Sequence, residues 1–249
     1  MGNLKVTLVG TGGAALTKER SCACLLFDDE TLLDCGSGSL KNLRLLGEDL
    51  GRIEKILLSH LHNDHVGDLT SILWTMQLEG RKSPLEIYGP KGTEKFLTQM
   101  LRLVRTPKSF FEFKIICRDL DYERHDAFTW CMGKHVPASL AYMIDNIGSV
   151  CCSGDTRPSP QIIELARGVD LMVHDSSFLS GETGAAIKSN HSTASEAGQA
   201  AFEAGALSLI LYYVLNRGLK YEQRLQQEAS EKFGGKVFVA RDMTVFNVP

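Results

Sequence analysis

A chain of 249 residues, 43% of them hydrophobic, can bury a sizeable core; with no Pro/Gly/Ser linker in sight, one α/β domain spanning 1–249 is favoured over two small ones. A formal net charge of -3 and a pI near 6.2 exclude a global electrostatic pull toward nucleic acid or anionic lipid. No segment has the length of a membrane span or the pattern of a secretion signal, so a soluble, cytoplasmic protein with no membrane partner is expected.

Leu4 to Val9, Cys22 to Phe27 and Thr31 to Asp34 read as short strands, broken by Gly10-Thr11-Gly12-Gly13 and by Asp28-Asp29. Ser39 to Leu50 reads as a helix. Ile53 to Leu58 is an apolar strand that runs into Ser59-His60-Leu61-His62-Asn63-Asp64-His65, after which Val66, Leu69, Ile72, Leu73 and Met76 recur at helical spacing. Leu85 to Tyr88 then suggests a strand, Gly92 to Val104 a helix and Phe110 to Ile116 another strand. Ala127 to Met132 precedes His135, Leu140 to Ile144 follows it, and Ser149 to Ser153 runs into Gly154-Asp155-Thr156. A helix near Pro160 to Arg167, a strand from Leu171 to His174, a helix near Ala194 to Ala204 and a strand from Leu207 to Tyr213 continue the alternation. A helix near Glu222 to Lys232 and strands at Val237 to Ala240 and Thr244 to Val248 close the chain. Strand runs followed by strand–helix alternation suit a layered α/β architecture.

The chain has seven cysteines, an odd number, and they fall mostly in apolar runs. Cys22-x-Cys24 and Cys151-Cys152 lack the two-residue gap of a zinc knuckle, so reduced core thiols are expected. The histidines are another matter. His60, His62 and His65 are three of the seven in the chain, and no packing requirement explains such a cluster. Histidines at i and i+2 leaving a strand project to one side and can grip one ion together. Asp64 and His65 follow where the chain turns into a helix, so they can serve a second ion nearby.

His60-x-His62-x-Asp64-His65 is the signature of the metallo-β-lactamase superfamily, and the chain resembles that superfamily over nearly its whole length. His135, 70 residues beyond His65, stands where the superfamily places its third histidine, and Asp155 stands where it places the aspartate that bridges two metals. Leu32-Leu33-Asp34-Cys35-Gly36, His174-Asp175-Ser176-Ser177-Phe178 and His191-Ser192-Thr193-Ala194 are similar to segments of the ribonuclease Z and phosphodiesterase branch.

The resemblance implies a four-layer αββα sandwich with two divalent metal ions at one edge of its sheets. Zinc is the leading candidate, with iron or manganese also suited to imidazole and carboxylate donors. His60, His62 and His135 would hold the first ion; Asp64 and His65 the second; Asp155 both. His191 matches a catalytic residue that is not a ligand, with Asp175 a candidate to orient it, and Asp64 and His191 are the candidate catalytic residues. A water held between the ions would be acidified toward a hydroxide nucleophile. Homodimers are frequent among similar proteins. His125 reads as a solvated loop residue and His174 as a satisfied structural one.

Two departures from the branch stand out. Its last metal-binding histidine lies on a late strand, in a pattern like Leu-Thr-His-Phe-Ser-x-Arg, whereas this chain reads Leu211-Tyr212-Tyr213-Val214-Leu215-Asn216-Arg217. Tyr213 is thus a plain core tyrosine or a direct or water-bridged contact to the second ion. Transfer-RNA-processing members also carry a long arm between the third histidine and the bridging aspartate, and only residues 136 to 154 lie there in this chain. The expected function is therefore a metal-dependent phosphodiesterase acting on a small phosphodiester, not on transfer RNA. Hydrolysis of a lactone, thioester or β-lactam is the alternative within hydrolases, and iron-dependent redox chemistry, favoured by a phenolate at Tyr213, is the alternative outside them. Specificity is expected in the loops Arg81 to Pro84, Arg105 to Lys108 and Ser180 to Ser189.

Overall fold

The computed structural model describes residues 2–120, 128–136 and 138–249; His125 lies outside the described residues. The first half of the chain forms strands β1 (Leu4–Gly10), β2 (Cys24–Phe27), β3 (Thr31–Leu33), β4 (Lys55–Leu57), β5 (Leu85–Gly89) and β6 (Ile115–Asp119). The second half forms β7 (Thr129–Met132), β8 (Leu140–Asp145), β9 (Ser149–Cys152), β10 (Leu171–Asp175), β11 (Ser208–Tyr212), β12 (Lys236–Val239) and β13 (Thr244–Val248). Helices α1 (Ser39–Leu46), α2 (Asn63–Val66), α3 (Leu69–Leu78) and α4 (Thr93–Leu103) belong to the first half. Helices α5 (Pro160–Leu165), α6 (Thr183–Ser189), α7 (Ala194–Ala204) and α8 (Leu219–Phe233) belong to the second. Among the described residues, no helix is long and apolar enough to cross a membrane.

Two sheets result, in the orders β13-β1-β2-β3-β4-β5-β6 and β12-β11-β10-β9-β8-β7. Side-chain alternation along each strand gives both sheets two apolar faces. Leu8, Leu25 and Leu57 meet Tyr142, Val173 and Ile210 between the sheets. Leu26, Ile56 and Ile87 face outward onto Leu43, Leu73 and Leu97 of α1, α3 and α4, while Met172, Leu209 and Leu211 face outward onto Ala197, Ala201 and Leu225 of α7 and α8. Each wholly buried Leu or Ile contributes about 1.5–3 kcal/mol. This is the αββα sandwich. Helices α7 and α8 approach closely because Gly198 has no side chain: a Cβ there would stand 2.4 Å from the Ala229 carbonyl oxygen.

Within the two sheets β3 to β6 run parallel, as do β9 to β12, so their carboxyl ends gather along one edge. In α/β sheets that edge is where ligands bind.

Some element limits differ from the sequence reading. The helix begun at Ser39 stops at Leu46 because Gly47, at φ 77°, turns back to cap Leu43 and Arg44; a short 3-10 turn, Leu50–Arg52, follows. The strand expected from Phe110 starts only at Ile115: the Phe110 ring packs on Trp74, and Phe111 and Phe113 enter the outer core instead of pairing. Part of the expected loop Ser180 to Ser189 is helix α6.

Candidate metal centre

The chemistry-bearing residues leave the carboxyl ends of the parallel strands. Asp34 follows β3, Ser59 and His60 follow β4, Asp155 follows β9, Asp175 ends β10 and Tyr213 follows β11. His62 stands at the N-cap of α2, and Asp64 and His65 lie in that helix. Gly154, at φ 58°, makes the turn into Asp155, and a Cβ there would stand 2.8 Å from the Leu140 carbonyl oxygen.

His60 Nε2 and His62 Nδ1 are 3.1 Å apart, and the His135 ring lies 5.0 Å and 5.4 Å from the two imidazoles. Two nitrogens bound at 2.0–2.1 Å to a tetrahedral ion stand about 3.3 Å apart. Donor atoms of His60, His62 and His135 all lie within 4.8 Å of one another, as do those of His60, His65 and Asp155 and those of His135, Asp155 and His191. Asp155 is common to two of these groups: its Oδ2 is 3.3 Å from His65 Nε2, 3.8 Å from His60 Nε2 and 3.9 Å from His191 Nε2. Asp64 Oδ2 lies 3.5 Å from His65 Nε2, but Asp64 joins none of the three groups.

His65 Nε2, His135 Nε2 and Asp155 Oδ2 are buried and have no hydrogen-bond partner. Leaving a buried polar atom unsatisfied costs about 1–3 kcal/mol, so three together call for a common partner. The far side of each ring is anchored. His65 Nδ1 is 2.7 Å from Asp34 Oδ2, His135 Nδ1 is 3.1 Å from the Asn190 carbonyl oxygen, and His191 Nδ1 is 2.7 Å from Asp175 Oδ2. Such anchoring fixes each tautomer and leaves Nε2 of His65 and of His135 free to coordinate. The residues present fit divalent ions with a nitrogen and carboxylate donor set.

Electrostatics separates the rings. Burial, followed by the neighbouring imidazoles, pushes His60 far below the usual histidine range; burial and His135 push His62 down as well. Burial opposes a charge on His65 too, but Asp155 and Asp34 outweigh it and hold the ring well above that range. At His191 burial is again overcome, by Asp175 first and then Asp155, and the pKa is pushed up to about 9. A bound dication would press His65 and His191 toward the neutral form that His60 and His62 already favour.

Tyr213 is 4% exposed, and its hydroxyl donates to Asp64 Oδ2 at 2.5 Å. His174 is buried on β10, its Nδ1 against the Asp175 carbonyl oxygen at 2.8 Å, but its Nε2 has no partner, so it is less satisfied than its sequence context suggested. No cysteine joins the cluster. Cys151 packs in the outer core and Cys152 between the sheets, and no disulfide links any of the seven.

Sequence reasoning gave no role to Asp34, Ser59 or Arg157. Asp34 takes the Ser59 amide at 2.7 Å and the Ser59 hydroxyl at 2.8 Å besides His65. Arg157 donates to the His191 carbonyl oxygen at 2.7 Å and to Glu196. Their signal was position alone: Asp34 in Leu32 to Gly36 and Arg157 directly after Gly154-Asp155-Thr156.

The family model described as anti-Pycsar protein Apyc1 matches residues 4–196. Ribonuclease Z of Natronomonas pharaonis is 26% identical over an alignment of 304 residues, covering 99% of this chain and 98% of that protein. The alignment is longer than the chain, so that relative carries segments absent here. The metallo-β-lactamase fold protein YhfI from Bacillus subtilis superposes with a TM-score of 0.84 at 26% identity, covering 98% of this chain and 99% of that one. Human tRNase Z, short form, superposes with a TM-score of 0.83 at 25% identity, covering 98% and 99%.

Proposed function

This chain belongs to the anti-Pycsar protein Apyc1 family, on the ribonuclease Z-like branch of the metallo-β-lactamase superfamily, and on that footing we propose that this metal-dependent hydrolase cleaves a small phosphodiester. The observation that carries the reading is the convergence on Asp155 Oδ2 of His60, His65 and His191, with His191 held from behind by Asp175. His60, His62 and His135 would hold one ion, Asp64 and His65 the other, and Asp155 both, with zinc the leading candidate. Ions bound there would acidify a water and neutralise charge on phosphoryl oxygens.

The chain's own residues supply the rest. Asp175 favours the charged imidazole of His191, and with Nδ1 engaged, Nε2–H is the donor presented to the site. A donor in that place can protonate a departing alkoxide or steady charge on phosphorus, a contribution of about 10²–10⁴ in rate. Asp34, fixed by Ser59, keeps the His65 ring aimed inward.

The smallness of the substrate rests on what the chain lacks. Its longer ribonuclease Z relative carries segments missing here, and residues 136 to 154 leave no room for an RNA-gripping arm. A panel comparing a bis-aryl phosphodiester, small natural phosphodiesters, lactones, thioesters and precursor transfer RNA tests the reading. Turnover of the small phosphodiesters with little on the carbonyl substrates or transfer RNA is expected; efficient transfer RNA cleavage or preference for a carbonyl substrate contradicts it.

A further inference from the structure

We propose that Tyr213 makes up for the missing last histidine at one remove: its phenol fixes Asp64 for the second ion and does not itself bind that ion. The proposal rests on the two-ion reading of the site. Tyr213 leaves β11 in the left-handed region at φ 57°, a conformation that costs a non-glycine residue about 1–2 kcal/mol. Such backbone persists only where its surroundings hold it. Here they do. The next amide, that of Val214, donates to the Thr11 carbonyl oxygen at 3.0 Å, and a Cβ on Gly13 would stand 3.0 Å from Tyr213 Cε1, so the glycine leaves the ring its place.

The ring is nearly parallel to two imidazoles of the site, 4.8 Å from His191 at 19° and 5.6 Å from His65 at 16°. That packing dictates where the hydroxyl ends, and it ends on Asp64 Oδ2 at 2.5 Å. A carboxylate oxygen has two lone pairs, so it can accept the phenol with one and keep the other for a metal. Asp64 sits in α2, a helix of four residues, and its Oδ2 is 3.5 Å from His65 Nε2; the phenol gives this carboxylate a fixed partner on the opposite sheet. An outer partner of this kind is worth about 10–100-fold in metal affinity.

Metal-depleted protein titrated with zinc against a chromophoric chelator tests this in wild type, Tyr213→Phe, Asp64→Asn and the double variant, with the unfolding midpoint of each apo protein as a check on folding. Two zinc steps are expected in wild type. Tyr213→Phe should weaken the looser step by about 10–100-fold, leave the tighter step unchanged, and add almost nothing in the Asp64→Asn background, because the phenol then has no carboxylate to hold. An equal loss in both backgrounds would make Tyr213 a ligand in its own right and overturn the proposal. No loss in either would make it a bystander and overturn the proposal equally. Wild type that binds a single zinc overturns the two-ion reading first and the role of Tyr213 with it.

Discussion

Asp175 Oδ2 lies 2.7 Å from His191 Nδ1, and both are fixed from the backbone outward. Asp175 ends β10 and also takes the Thr156 amide at 3.0 Å and the Ser177 hydroxyl at 2.9 Å, so its carboxylate cannot turn away from the ring. The pair therefore presents one ring nitrogen, Nε2, to the site. His191→Ala should keep its metal content and lose about two to four orders of magnitude in turnover. Metal analysis beside kcat decides the matter: loss of an ion with the side chain would make His191 a ligand.

The same pair makes apo-protein stability depend on pH. The folded pKa of His191, about 9, lies above the ordinary value of 6.5, so its contribution is complete below about 6.5 and is lost as pH rises through about 9. His65, also raised, adds in the same direction. Denaturant midpoints of metal-free protein should fall between these limits, and Asp175→Asn should flatten the fall. A flat profile in the unaltered protein would contradict the assigned charge on His191.

His62 is the exposed member of its trio, so His62→Ala should fold normally while losing the ion held with His60 and His135, and turnover with it. Metal stoichiometry by elemental analysis is the check. Full metal content at a normal rate would remove His62 from the ligand set.

Arg157 ties His191 to helix α7. Its guanidinium reaches both the His191 carbonyl oxygen and Glu196, and Glu196 closes a capping box with Thr193. Arg157→Ala should lower kcat by about tenfold or more with little change in KM, the pattern of a lost transition-state interaction. Thr193→Ala removes the cap and should cost about 1 kcal/mol. Burial raises Glu196, but the Arg157 and Thr193 contacts outweigh it and hold the carboxyl below its usual range, so this contribution is present above the unfolded pKa and lost as the solution is acidified through the folded one. If Arg157→Ala raises KM alone, Arg157 binds substrate and does not position His191.

The site was legible where chemistry is concentrated along the chain. His60, His62 and His65 are too close together for packing to explain, and the same crowding brings the His62 and His65 rings within 4.7 Å of the His60 ring. His135 and Asp155 could be read only through resemblance, because each alone looks like a turn residue. The partners behind the ligands were less legible. Asp34 reaches His65 across 31 positions and Arg157 reaches His191 across 34, and no periodicity encodes such pairs. A layered α/β architecture followed from strand and helix alternation and the four-layer order from the resemblance, but the strand expected from Phe110 began only at Ile115 because aromatic runs favour a strand and a helix-covered core equally.

If the converging imidazoles and carboxylates hold divalent ions for phosphodiester cleavage, turnover must follow metal content. Metal-depleted protein assayed on a bis-aryl phosphodiester while zinc is added in known amounts reads that dependence. No turnover is expected without metal, and activity should rise with bound zinc to a plateau at two ions per chain. Undiminished turnover in the metal-free protein, or none at any zinc, iron or manganese loading, would contradict a metal-dependent phosphodiesterase.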